Sequence, residues 1–87
     1  MKLTRFQKDI LITALQFEQP VSGYVLAGKR FPINVARQGM LDELAGEGFL
    51  SRHAGQGRSR FTYVATKKGR LIGPYLQRRD LDLRSAA

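Results

Sequence analysis

The chain has 87 residues with no cysteine or tryptophan, 15 lysines and arginines against 7 acids, a formal charge of +8 and a hydrophobic share of 43%. That is enough apolar material for one small core and too much for a disordered chain. It leaves no disulfide framework, no thiolate zinc site and no apolar run of the roughly 18–20 residues that span a membrane. The opening Met1-Lys2-Leu3-Thr4-Arg5, followed by Lys8 and Asp9, does not read as a signal peptide. The expectation is a single domain over 1–87, intracellular and cytoplasmic, associated with a polyanionic partner.

Residues 4–17 read as a first helix. Thr4 and Gln7 have capping-box spacing, and Phe6, Ile10, Ala14 and Phe17 form one apolar stripe widened by Leu11 and Leu15. Gln19-Pro20 ends it, since the residue before proline disfavours the α region. Ser22 is the N-cap of a short second helix over 22–29, with Tyr24, Val25 and Leu26 on its apolar face. Phe31-Pro32 breaks the chain again. Asn34 caps a third helix over 35–46, with Met40, Leu41 and Leu44 inward, Val35 or Ala36 at the start of that buried side, and Gly48 suited to a left-handed end. Its second half carries Asp42 and Glu43, followed by Glu47, so it should face away from any phosphate. Its first half has Asn34, Arg37 and Gln38 and no acid.

Residues 49–65 read as a β-hairpin. Strands 49–54 and 60–65 flank the loop Gly55-Gln56-Gly57-Arg58-Ser59. Thr66 caps a C-terminal helix over 66–81, kinked near Pro74, with Leu71, Ile72, Tyr75 and Leu76 on its apolar face.

The charge is segregated. No acid falls between Gly48 and Arg79, a window holding Arg52, Arg58, Arg60, Lys67, Lys68, Arg70, Arg78 and Arg79, while the rest of the chain balances. A neutral body with one basic segment points to a surface aimed at phosphate; the plain alternative is a hairpin and helix end kept basic for solubility. Catalysis finds no support. There is one histidine, His53, without a soft ligand nearby, and no Gly-x-Ser-x-Gly elbow. Gly55-Gln56-Gly57 lacks the third glycine and following helix of a dinucleotide loop. No enzyme activity, cofactor or metal is expected.

Three passages resemble a known family. Ser22-Gly23-Tyr24-Val25-Leu26 is similar to the second-helix opening of PadR-like regulators. Leu41-Asp42-Glu43-Leu44-Ala45-Gly46-Glu47-Gly48-Phe49-Leu50-Ser51-Arg52 resembles the step from recognition helix to first wing strand in MarR and PadR proteins. Tyr63-Val64-Ala65-Thr66-Lys67-Lys68-Gly69-Arg70 resembles their exit from the wing. Arg37 stands where that family usually has a small or apolar residue. The resemblance implies an α+β, mostly α, winged helix-turn-helix of three helices, a two-stranded β-hairpin wing and a C-terminal helix. It implies a third helix in the major groove and a wing on the minor groove or backbone of double-stranded DNA.

On that footing Asn34, Arg37 and Gln38 are candidates for base contact, Arg58 and Arg60 for the groove or backbone, and Lys67 and Lys68 for phosphate. The competing readings are a plain N-cap for Asn34 and, for Arg37, a surface arginine or a helix-face bridge to Asp42 or Glu43, while Arg52 is expected either to touch DNA or to pair with an acid inside the fold. Tyr63 is expected in the core or stacked on a base. Leu71, Ile72, Tyr75 and Leu76 are the surface nominated for a homodimer, with packing on the first helix as the alternative. The expected function is a small sequence-specific transcriptional regulator, a repressor. The other readings are a protein–protein adaptor and an RNA-binding module.

Overall fold

A computed structural model describes the backbone of residues 2–55, 57 and 60–86, and the side chains of the last helix as far as Leu76. Its elements run α1 (Arg5–Ala14), β1 (Val21–Ser22), α2 (Gly23–Leu26), α3 (Val35–Gly46), β2 (Leu50–Ala54), β3 (Phe61–Ala65) and α4 (Lys67–Ala86). The fold is thus α+β, with four helices and a three-stranded antiparallel sheet in the order β1-β3-β2.

Helix α1 begins with a reciprocal cap. The Gln7 amide donates to Thr4 Oγ1 at 3.1 Å, and the Thr4 amide donates to Gln7 Oε1 at 2.9 Å. Gln7 is buried, and its Nε2 reaches the Met40 carbonyl at 3.1 Å and Glu43 Oε2 at 3.2 Å, tying α1 to α3. The helix stops at Ala14, short of the expected 17. The amides of Leu15, Gln16 and Phe17 bond three residues back, to Ile12, Thr13 and Ala14, so this last stretch winds as tighter turns.

The expected helix over 22–29 is corrected at both ends. Val21 and Ser22 pair with Tyr63 and Thr62, giving the hairpin a third strand where two were expected. Ser22 still caps α2, accepting the Val25 amide at 3.2 Å from an extended backbone that suits both roles. The helix then closes after Leu26 because Gly28 and Lys29 both turn left-handed, at φ 76° and 59°. Tyr24 Oη donates to the Lys29 carbonyl at 2.9 Å and holds that turn.

Asn34 caps α3 by accepting the Arg37 amide at 2.8 Å. At the other end Gly48, at φ 83°, lets its own amide reach the Ala45 carbonyl and that of Phe49 reach the Leu44 carbonyl, a Schellman closure. Strands β2 and β3 pair from Leu50↔Ala65 to Ala54↔Phe61, and the Gly55 amide donates to the Arg60 carbonyl at 3.0 Å. The chain leaves β3 at Thr66, whose hydroxyl lies 2.5 Å from the Gly48 carbonyl and also accepts the Gly69 amide. Gly69 has no room for a side chain, since a Cβ there would sit 2.2 Å from the Phe49 carbonyl oxygen.

Helix α4 runs past the expected end at 81 and continues through Pro74 to Ala86. Proline removes one helical hydrogen bond, which packing on both sides outweighs. Gly73 presses on Leu15, and Ile72 and Leu76 join the rim of the core. The core itself is Ile10, Leu11, Ala14, Leu26, Leu41, Leu44, Phe49, Leu50, Tyr63 and Ala65. Among the described residues no helix is long and apolar enough to cross a membrane.

Candidate nucleic-acid interface

The helices α2 and α3, joined by the turn 27–34, and the β2–β3 hairpin bring together most of the residues singled out above. Two sides of α3 are engaged inside the protein. Met40 and Leu44 lie toward α1, where the Met40 carbonyl accepts from Gln7. Leu41 and Gln38 line a cleft of about 250 Å³ with Ser22, Gly23, Tyr24, Ile33, Arg60, Phe61 and Tyr63.

The polar candidates on α3 are committed to the fold. Asn34 spends its side-chain oxygen on the cap. Arg37 donates from Nη1 to the Pro32 carbonyl at 3.0 Å. Its guanidinium lies 4.8 Å from the centre of the Phe31 ring and 6.0 Å from that of Phe6. A cation held against a ring and bonded to a carbonyl of the turn it follows is a clamp on that turn. Gln38 donates from Nε2 to Tyr63 Oη at 2.7 Å and to Asp42 Oδ1 at 3.0 Å.

Tyr63 is 1% exposed, so its ring belongs to the core, and it lines the cleft where its oxygen accepts from Gln38. Burial raises its pKa above the usual phenol value; the Gln38 bond and nearby Arg52 pull the other way, and Asp42 adds to the rise. Arg52 pairs with Asp42 at 3.3 Å and lies over the Phe61 ring at 4.5 Å. Of its two expected roles, the intramolecular one is seen here. His53 sits 3.0 Å from Ser51 Oγ. Among the described residues no cluster of three His, Cys, Asp or Glu side chains could hold a metal.

The basic residues divide in the same way. Lys68 donates to the Glu47 carbonyl at 2.7 Å and lies 4.6 Å from the centre of the Phe49 ring. It therefore serves the carbonyl end of α3, where a cation is favourable, although it stands in the first turn of α4, where one is not. Arg70 donates to the Phe17 carbonyl at 2.8 Å. Arg60 and Lys67 are exposed, as are Lys29 and Arg30 in the turn ahead of α3. Arg58 lies outside the described residues.

The sequence puts Val35 at the base-reading start of α3 but also expects Val35 or Ala36 to begin its buried side, and the structure corrects the second expectation, since both are exposed. Val35 is 91% exposed, the most exposed large apolar side chain described. Ala36 is exposed beside it, and one turn on comes Gly39, where an added Cβ would meet nothing within 4 Å. The signals for this in the sequence are the first-turn position of Val35 and a glycine inside an otherwise well-capped helix. On α4, Leu71 and Tyr75 are exposed one turn apart, at 73% and 58%, whereas Ile72 and Leu76 pack against the core. The four residues nominated for pairing thus fall on two faces.

No family model matches the chain, and neither does any curated protein. Among solved structures, that of SSV1 F-93 is similar, with a TM-score of 0.61 and 22% identity over 99% of this chain and 100% of that one. The likeness is one of fold.

Proposed function

We propose that this protein is a winged helix-turn-helix regulator that binds double-stranded DNA sequence-specifically, as a homodimer, and acts by occupying a promoter. In this reading α2 and α3 form the helix-turn-helix, α3 enters the major groove amino-terminus first, and the β2–β3 hairpin is the wing. The observation that carries it is the pairing of an outward-facing, acid-free first half of α3 with a hairpin and helix start that contain no acid from Gly48 to Arg79. Acids on the second half of α3 do not oppose such an approach. Asp42 is paired with Arg52, and Glu43 accepts from Gln7. Entry by the amino-terminal end keeps both away from the phosphates.

Arg60, Lys67, Lys29 and Arg30 supply the phosphate contacts in this arrangement, with Arg58 as a further wing-loop contact. Leu71 and Tyr75 form the patch on which a second copy packs. Two copies are required on energetic grounds, because one such module buries only about 600–1,000 Å² on DNA. No catalytic role is assigned.

The test is selection of binding sites from random duplex DNA, with affinity then followed against salt. Enrichment of a short palindrome bound at least about 10³-fold more tightly than bulk DNA supports the reading. Salt-sensitive binding without enrichment refutes it and leaves the adaptor, its basic wing set against an acidic protein surface.

A further inference from the structure

We infer that α3 reads its DNA through the thymine C5-methyl group, with Val35 as the residue that meets it. The inference rests on the DNA-binding reading above and names what that site recognises. It starts from what α3 does not offer. Arginine and glutamine are the side chains that pair bidentately with guanine and adenine. Here both are half-buried and already engaged within the chain, Arg37 along the surface with the exposed Phe31 ring and the Pro32 carbonyl, Gln38 with Tyr63 and Asp42. Releasing either would open the turn that positions the helix or leave the Tyr63 hydroxyl unpartnered in its cleft.

What α3 does present is small and apolar. Val35 is 91% exposed, Ala36 is exposed, and Gly39 leaves the helix backbone bare one turn further on. A valine 91% exposed in the first turn buries almost none of its surface. A glycine inside a helix is unfavourable, and Gly39 has neither the positive φ nor the crowding that would require one. Both features fit a surface that approaches closely from outside. Exposed Lys29 and Arg30 just ahead of α3, and Arg60 across the cleft, fix the sign of that surface as negative. In the major groove the one apolar feature a base pair displays is the thymine methyl. Val35 supplies the apolar partner, and Gly39 lets the helix seat deeply enough to bring the two together. Asp42, next on the ridge and tied to Arg52, ends the readable surface.

The experiment uses the duplex recovered by selection from random DNA and replaces each thymidine in turn with deoxyuridine. This removes the methyl and keeps every base-pair hydrogen bond. The whole chain is expected to lose affinity about three- to tenfold at one or two positions. Val35→Ala, a truncation at an exposed helix position, is expected to stay folded and to be indifferent to deoxyuridine there. Indifference of the natural chain at every position overturns the inference while the DNA-binding reading stands. The same loss in Val35→Ala also overturns it, because the methyl is then read by another group. Failure to recover any enriched duplex overturns the DNA-binding reading itself, and the inference with it.

Discussion

Substituting Gly39 by alanine separates what the fold wants from what the interface wants. In the free protein the new methyl meets nothing within 4 Å, so it adds no clash. Alanine in a helix interior is favoured over glycine by about 0.5–1 kcal/mol. For a domain of this size each kcal/mol moves the melting temperature by about 4–8 °C, so Gly39→Ala should melt roughly 2–8 °C higher. Against DNA the sign reverses. A methyl forced into a closely packed surface costs about 1–3 kcal/mol, which corresponds to a loss of about five- to 150-fold in affinity. Thermal denaturation followed by circular dichroism and fluorescence anisotropy on the selected duplex read the two effects separately. Gly46→Ala is the internal control. It also meets nothing within 4 Å, but it lies at the acidic end of α3, and it should stabilise without loss of affinity. A Gly39→Ala protein that melts higher and binds as well as before would show that nothing comes close to this ridge.

Other substitutions test the frame that holds the site. Gly69→Ala drives a Cβ into the Phe49 carbonyl, which cannot yield without moving β2. It should cost about 1–3 kcal/mol or more, read as a lower urea midpoint. Tyr63→Phe removes the acceptor of the Gln38 bond and should cost about 1 kcal/mol. It should also change the response to alkali. The folded state holds the Tyr63 proton more tightly than the unfolded chain, so this contribution is complete below about pH 10 and is lost as pH rises through the folded value. Denaturant titrations between pH 8 and 11 should show a fall in stability at the alkaline end that is shallower in Tyr63→Phe. Leu71→Asp places a charge on an exposed position of α4 and should leave the protein folded but monomeric. Sedimentation of an unaltered dimer would remove Leu71 from the pairing surface.

The features legible along the chain are those completed within a few residues. Thr4, Ser22 and Asn34 each cap the helix that follows, because a hydroxyl or amide oxygen meets an amide three positions on. Gly48 closes α3 for an equally local reason, a left-handed backbone that glycine reaches without strain. The hairpin follows from two strand-like runs around a glycine-bearing loop. Strand β1 was hidden because what makes Val21 and Ser22 a strand is their pairing with Tyr63 and Thr62, far along the chain. The same distance hides the destinations of polar side chains. Arg37, Gln38 and Lys68 have the residue types of DNA contacts, and the packed chain delivers a ring, a tyrosine oxygen and a helix-end carbonyl to each of them first. Composition and spacing thus set the element types, the caps and the location of the charge. Folding alone settled which of the described charges were left free and that Val35 stands outermost on α3, since a side chain's availability depends on neighbours that are remote in sequence.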